Sequence, residues 1–419
     1  VGLVSGAGRV RLTLEGKFTD EQGRAVEEGN FEVSKDEFSN ALSFNPVDFR
    51  SSRITLHDVM IGIDFHWERK ESQSFQGAAR VIGGERGLTV INELPLESYL
   101  VSVISSEMSA SAPAALLRAH AIVSRSWLLA QLEGAGARAA TAWENETERI
   151  RWYDRESHDR FDVCADDHCQ RYQGISKAFS KEAFDAVSRT RGVALVYGDE
   201  ICDARYSKSC GGRTEIFSAA WEDKHVPYLS SVCDGPVGDY QMPLTVEANA
   251  QAWIASWPEA WCNTTDEKLL SRILPGFDQE TKDFYRWAVE YSQSELQEIL
   301  LARTGIDFGR ISSLDPVERG ESGRIIRLRI AGQKRTLILG KELEIRRALS
   351  RSHLYSSAFV VQASGEGDYP ESFHLTGAGW GHGVGLCQIG AAVMAERGAT
   401  PREILSHYFK SAALATLYR

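Results

Sequence analysis

Four stretches of this sequence carry residue types at spacings that could do chemistry. The first is Val103-Ile-Ser-Ser-Glu-Met-Ser109, where an apolar helical pattern runs into a Ser-rich turn. Glu107 closes that pattern, with Ser106 beside it as a candidate substrate contact. A carboxyl among apolar neighbours is harder to ionise, which suits a general acid. A solvated helix-end glutamate is the plain alternative. Arg125 follows in His120-Ala-Ile-Val-Ser-Arg-Ser-Trp-Leu-Leu129. An arginine on so apolar a helix is expected either to pair with a carboxylate at the edge of the core or to reach a ligand.

The second stretch, Arg205 to Glu215, packs Tyr206, Ser207, Lys208, Ser209, Thr214 and Glu215 around the pair Gly211-Gly212. Double glycine allows positive φ and a close approach of a ligand to backbone amides. It serves equally as a hairpin turn. The third stretch has the spacing His158-x5-Cys164-x4-Cys169, with His168 inside the pair as a substitute ligand. Imidazole and thiolate suit a tetrahedral zinc ion. Two buried thiols or a disulfide are the alternatives.

The fourth stretch is Gly377-Ala-Gly-Trp-Gly-His-Gly-Val-Gly-Leu-Cys-Gln388, in which every second residue from Gly377 to Gly385 is glycine. It fits no G-x-G-x-x-G register and no Lys-Ser/Thr follows, so dinucleotide and phosphate loops fail on spacing. A strand stripped on one face would let a backbone or a sugar ring lie against it. Trp380 and His382 would then project together on the other face, with Gln388 nearby, as groups that can hold a sugar. Tight strand packing explains the glycines but not the Trp and His.

These residues need elements to position them. Residues 1–90 read mostly as strand, from alternation in Arg9-Val-Arg-Leu-Thr-Leu-Glu15 and similar runs. From Leu94 the pattern turns helical, and Leu116, His120, Val123 and Trp127 form one stripe after Pro113. Residues 133–174 read as polar and irregular, and 283–303 as helical. Residues 323–340 look like a hairpin pair. Two helices close the chain, the first ended by Gly398, the second opened by a Thr400-Pro-Arg-Glu403 capping box. The expected class is α+β. The expected domains are a β-rich region at 1–88, a first catalytic part at 89–235, an insertion at 236–350, and a completing part at 351–419.

The 419 residues carry a net charge of −11, which argues against phosphate neutralisation and hence against nucleic acid as the main partner. Seven cysteines are too few for a disulfide scaffold at this length. No run of eighteen apolar residues offers a membrane span. The sequence opens at Val1 without a basic-then-apolar leader.

Taken in order, the segments Glu97–Ala130, Tyr206–Glu215 and Gly377–Phe409 resemble the stage II sporulation protein D family, called SpoIID/LytB, which includes amidase-enhancer relatives. The likeness covers roughly residues 85–419; residues 1–85 match less clearly, although Ile61–Gly77 is similar to an N-terminal strand region of some members. The resemblance implies a lytic transglycosylase acting on peptidoglycan glycan strands stripped of stem peptides. It places the catalytic acid on Glu107 and a functionally important arginine on Arg125. It implies that the 206–215 and 377–388 segments line the same cleft. It also implies a zinc site at His158, Cys164 and Cys169, with a second gap differing by one residue and the fourth ligand open. Cys210 stands where many relatives carry Ser, so it is not expected to be a required nucleophile.

One obligatory carboxyl suffices for such an enzyme, unlike a two-carboxylate glycosidase. No organic cofactor is expected. Implied partners are the glycan strands and a cell-wall amidase that strips them. The implied location is extracytoplasmic, in the periplasm or outer envelope, reached through a signal peptide or lipid anchor outside these residues. The rival reading is a non-catalytic wall binder that stimulates an amidase. A zinc hydrolase is a third, disfavoured because no HExxH-like helix exists.

Overall fold

The computed structural model describes residues 1–37, 41–61, 69–134, 141–152, 158, 160–166, 168–176, 180–235, 242–274 and 283–419. The fold is α+β, as the patterns indicate. The chain forms two compact units. The first comprises Val1–Ala137, Ser157–Val193 and Thr416–Arg419; the second comprises Arg138–Glu156 and Ala194–Ala415. The boundary expected at residue 88 falls inside the first unit. The expected 89–235 part is divided between the two, because the metal-spacing segment belongs to the first unit and the double-glycine turn to the second.

Two antiparallel sheets carry the first unit. One orders its strands Gly29–Ser34, Arg9–Glu15, Arg53–Ile61 and Arg69–Phe75. In Arg9–Glu15 the alternation works as read: Val10, Leu12 and Leu14 are buried while Arg9, Arg11 and Glu15 face water. The other sheet places Leu88–Glu93 between Gly2–Ala7 and Ala78–Ile82. Leu88 to Asn92 are all buried, the pattern of a strand covered on both faces. Most of the Ile61–Gly77 segment's first half lies outside the described residues.

Three helices pack together beside these sheets: α1 (Leu96–Glu107), α2 (Ala114–Glu133) and α3 (Lys181–Arg189). Pro95 and Pro113 stand at the N-caps of α1 and α2, where a missing N–H costs nothing. Leu116, His120, Val123 and Trp127 are buried as expected, but so are Ala119, Ile122, Ser124 and Arg125. Neither α1 nor α2 is a one-striped surface helix, since packing covers several faces of each. The Ser180 hydroxyl caps α3 by accepting from Ala183 N at 3.0 Å. It also donates to Ala110 O at 3.3 Å, fastening α3 to the turn that follows Glu107.

The second unit corrects two readings. The stretch read as irregular contains the strands Thr141–Glu144 and Glu148–Trp152, turned by Asn145, whose side-chain oxygen accepts from Thr147 N and Glu148 N, each at 2.8 Å. Glu148–Trp152 runs parallel to Thr336–Gly340. A partner nearly two hundred residues away leaves no local signal. Within 283–303, Arg286–Ser292 is a strand paired with Ser372–Ala378, and only Gln293–Thr304 is helix. The Ser292/Glu295 capping box marks that change. The expected hairpin is present as Ile325–Gly332 with Thr336–Gly340. Leu296, Leu300, Leu328, Ile330, Leu337, Phe373 and Leu375 share its core.

The C-terminal helices are Gln388–Glu396 and Pro401–Tyr408. Gly398, at φ +93°, closes the first with Gly398 N on Ala395 O and Ala399 N on Met394 O. Thr400 and Glu403 form the expected capping box, with Pro401 at the first position. No helix among the described residues is long and apolar enough to cross a membrane. Thr400→Ala is expected to lower the unfolding free energy by about 1 kcal/mol, read from denaturant melts.

Candidate active site and metal clusters

Glu107 is the last residue of α1 and is only 8% exposed, so it is not the solvated helix-end glutamate. One carboxylate oxygen accepts the backbone N–H of Arg171 at 2.9 Å. The segment that supplies this donor is fastened to its surroundings at every residue. Gln170 accepts from Tyr99 OH at 3.1 Å, Tyr172 donates to Asn92 Oδ1 at 2.6 Å, and Gln173 N reaches Ser102 Oγ at 3.3 Å. The Tyr172 ring stacks on Tyr99 and Phe75. Ser106 Oγ is buried beside Glu107 and has no hydrogen-bond partner among the described residues.

Immediately before this segment, His158, Cys164, His168 and Cys169 place one donor atom each within 4.8 Å of one another. Cys169 Sγ lies 3.4 Å from His158 Nε2 and 3.5 Å from His168 Nδ1. Cys164 Sγ lies 3.9 Å from His168 Nδ1. A tetrahedral ion with bonds of ~2.0–2.3 Å separates its ligand atoms by roughly 3.3–3.8 Å. The set therefore has the spacing to hold one metal ion, with His168 filling the fourth place. Hydrogen bonding with Cys169, then with His158 and His168, holds the Cys164 thiol far below its ordinary range despite burial. The loop is itself attached to the N-terminal strand: Gly2 N donates to Val163 O at 2.8 Å and Ala165 N to Gly2 O at 2.9 Å.

Arg125 is fully buried in α2, and of its two readings the ion pair is the one observed. Its Nε and Nη2 grip the two oxygens of Glu97 at 3.0 and 2.7 Å. Its Nη1 donates to Val193 O at 3.0 Å and more weakly to Ala121 O. Tyr418 OH adds a 2.6 Å bond to Glu97. Arg125 thus joins α2 to the first turn of α1. Burial alone pushes the Glu97 carboxyl up, but the bonds from Arg125 and Tyr418 outweigh it and leave the group below its ordinary 4.5.

In the second unit the double-glycine turn and the alternating-glycine stretch lie against each other. Tyr206–Ser207 pairs in parallel with Leu386–Cys387. Ser209 and Trp380 exchange both backbone hydrogen bonds, at 3.1 and 2.8 Å, and Glu215 N donates to Gly383 O at 2.9 Å. The stretch beyond Ala378 is not the regular bare strand expected. Gly379, Gly381, Gly383 and Gly385 all have φ between +73° and +89°, a left-handed zigzag open only to glycine. A Cβ on Gly379 or Gly385 would strike the Ser209 or Arg205 carbonyl, and one on Gly383 the Arg324 guanidinium. The close neighbour is therefore backbone, as one of the expectations held, together with an arginine.

Trp380 is half-buried between Tyr355 and Phe284, with ring centroids 4.5 and 4.8 Å away. His382 is half-buried against Trp221 at 4.9 Å. Its Nδ1 accepts Val384 N at 3.0 Å, and it bonds the Tyr206 backbone. Desolvation, followed by the charges of Arg205, Arg324 and Arg346, holds the imidazole well below its ordinary value and so neutral. Thr214 is buried and accepts Val232 N at 2.8 Å. Gly212, at φ +109°, leaves room for Trp253 and Tyr285. Gln388 and the hydroxyls of Ser207 and Ser209 are buried, whereas Tyr206 and Lys208 are half-buried.

Residues 84–197, which contain α1, α2 and the histidine–cysteine loop, match the family described as stage II sporulation protein. The chain is 22% identical over 328 residues to stage II sporulation protein D of Bacillus subtilis (strain 168), covering 78% of this chain and 76% of that one. It is 23% identical over 322 residues to stage II sporulation protein D of Bacillus amyloliquefaciens, with 76% and 74% covered. These matches support assigning the chain, through its residues 84–197, to the SpoIID/LytB family. The amidase enhancer of Bacillus subtilis (strain 168) is 23% identical over 257 residues, 59% of this chain but 34% of that protein. Residues 215–385 match a domain of unknown function, DUF8618.

Of the residues that hold the second unit together, sequence reasoning missed Arg324 and named Glu215 as a substrate contact. Glu215, fully buried, accepts from Ser322 Oγ, Ser322 N, Glu321 N and Ile216 N at 2.6–3.1 Å. Burial pushes its carboxyl up against those donors. Arg324, also fully buried, donates to Gly381 O, Cys210 O and Ser322 Oγ. The glycine gaps were the available signal, since something had to fill them, but nothing local named Arg324. Glu97 was legible only as a charge one turn into α1.

The Glu97–Arg125 pair fixes a pH dependence. A depressed folded value means that its stabilisation is complete above the unfolded carboxylate value and is lost as pH falls through the lower folded one. Wild type should therefore lose stability on acidification below 4.5, Glu97's ordinary value. Arg125→Met should be about 3 kcal/mol less stable at neutral pH, the low end for a broken buried pair because Glu97 keeps some exposure. Urea melts across pH should show the difference shrinking in acid.

Proposed function

We propose that this SpoIID-family chain is a peptidoglycan lytic transglycosylase with Glu107 as its single general acid/base. One observation carries the reading: a buried carboxyl at a helix end, with one oxygen held by a backbone N–H from an anchored segment. Fixed orientation is what a proton donor to a glycosidic oxygen requires. Family membership supports a role at the cell wall, and one relative is named an amidase enhancer.

In the proposed reaction Glu107 protonates the oxygen between N-acetylmuramic acid and N-acetylglucosamine, and the bond from that oxygen to muramic C1 breaks. The substrate's acetamido group stabilises the oxocarbenium-like centre. The ionised Glu107 then takes the proton of the muramic 6-hydroxyl as its oxygen bonds to C1. The product is a 1,6-anhydro end, no water is consumed, and Glu107 regains its starting state. Ser106 stands next to this carboxyl as a substrate contact. Arg125 acts through Glu97 as a positioning residue for α1. Among the second unit's residues, the half-buried Tyr206, Lys208, Trp380 and His382 are the candidates for holding sugars. The wall is the site of action, so the protein works outside the cytoplasm on strands that an amidase has stripped.

His158, Cys164, His168 and Cys169 would hold a structural zinc ion. When bound, the ion supplies a cross-link and takes part in no proton transfer. The cross-link steadies the loop that leads directly into Arg171 and its N–H on Glu107.

Glu107→Gln should abolish anhydro products from stem-peptide-free glycan strands, read by mass spectrometry, with an unchanged melting temperature. Unaltered strands after incubation with wild type would overturn the enzyme reading and favour the wall binder. Cys169→Ser should lower activity at least tenfold, with a lower melting temperature and greater hydrogen exchange at Arg171. Full activity with the loop metal-free would remove the bracing role.

A further inference from the structure

A second group of ligand-type residues lies in the other unit, and none of its members belongs to the His158–Cys169 loop or to the proposed acid/base chemistry. Cys210, Asp234, Cys262 and Cys387 come from four separate segments. They are the double-glycine turn, the loop after the Arg213–Cys233 bridge, the loop after helix Glu247–Ala255, and the N-cap of helix Gln388–Glu396. All four are buried, at 3% exposure or less. Their donor atoms lie within 4.8 Å of one another, with the Cys210 and Cys262 sulfurs 3.7 Å apart. That separation is the edge of a tetrahedron with ~2.3 Å metal–sulfur bonds. It is far beyond the ~2.05 Å of a disulfide.

The carboxylate is the telling member. Asp234 is fully buried and accepts neutral donors, Tyr408 OH at 2.5 Å on Oδ1 and Cys262 N at 3.0 Å on Oδ2. No arginine, lysine or histidine pairs with it among the described residues. A buried carboxylate without a cation is costly. The two donors orient it as outer partners orient a metal ligand. Gly390, one turn into the helix that Cys387 caps, keeps the space open: a Cβ there would press on both Asp234 oxygens. Cys210 N also donates to Cys387 Sγ at 3.3 Å, and the first turn of the helix favours a thiolate at its cap.

The surrounding charge matches. Arg286 is buried and donates to five carbonyls, among them Gly211 O at 2.9 Å, with no carboxylate partner among the described residues. Arg324 donates to Cys210 O at 3.2 Å. Three thiolates and a carboxylate around a dication leave two net negative charges. Two guanidinium groups rest on the backbone of the same turn.

We propose that Cys210, Asp234, Cys262 and Cys387 bind one structural divalent zinc-type ion. It ties the double-glycine turn to the start of the C-terminal helix. Three sulfurs select a thiophilic metal, and the spacing suits a single ion rather than a cluster.

The test is metal content by elemental analysis of the purified, zinc-supplemented full chain. Wild type is expected to hold two ions per chain, and Cys164→Ser/Cys169→Ser and Cys387→Ser one each. The cobalt form of Cys164→Ser/Cys169→Ser should show thiolate–cobalt absorption that vanishes on adding Cys387→Ser. A folded Cys164→Ser/Cys169→Ser chain without metal would overturn the proposal, as would a Cys210–Cys262 disulfide found by peptide mapping of native wild type. Should that double variant not fold, equal metal content in wild type and Cys387→Ser overturns it.

Discussion

A charge taken out of water must find its compensation inside the protein, and that requirement organises both units. Glu97 and Arg125 answer it with a two-pronged ion pair between neighbouring helices. Glu107 answers it with a backbone donor, Arg171 N. Glu215 collects four donors from its own turn and the 321–322 turn. Arg324 and Arg286 spend their guanidinium groups on carbonyl oxygens. Each solution specifies a geometry, because a hydrogen bond is directional where apolar contact is not.

The same requirement gives the Glu107 end of α1 its rigidity. The segment that covers it cannot shift without unmaking bonds to Tyr99, Asn92 and Ser102. It also runs straight out of a loop whose two cysteines and two histidines converge. A carboxyl so placed is held in orientation, which is what the proposed proton transfer requires.

Glycine plays the complementary part in the second unit. Where Ser209, Arg205 and Arg324 press against the 377–385 backbone, no side chain fits and φ is left-handed. The glycines are therefore not a flexible hinge but a close-packed seam, fixed by backbone bonds along its length. Trp380 and His382 point away from the seam into aromatic surroundings. His382 is held by its own backbone bonds as well.

What the sequence determined by itself is local. Alternation declared Arg9–Glu15 a strand, and capping boxes declared the helix start at Thr400. Spacing put His158, Cys164 and Cys169 forward as candidate ligands, and a helix ending in Ser-Ser-Glu-Met put Glu107 forward as a candidate acid. Each rests on interactions within a few residues, which a linear pattern records. Only the tertiary structure decided the rest. It buried Glu107, closed Arg125 on Glu97, added His168 to the set and turned Arg286–Ser292 into a strand. It also gathered Cys210, Asp234, Cys262 and Cys387 from positions up to 177 residues apart. Those outcomes depend on which distant segments meet, and the cost of burying a charge or a bare backbone is settled only there.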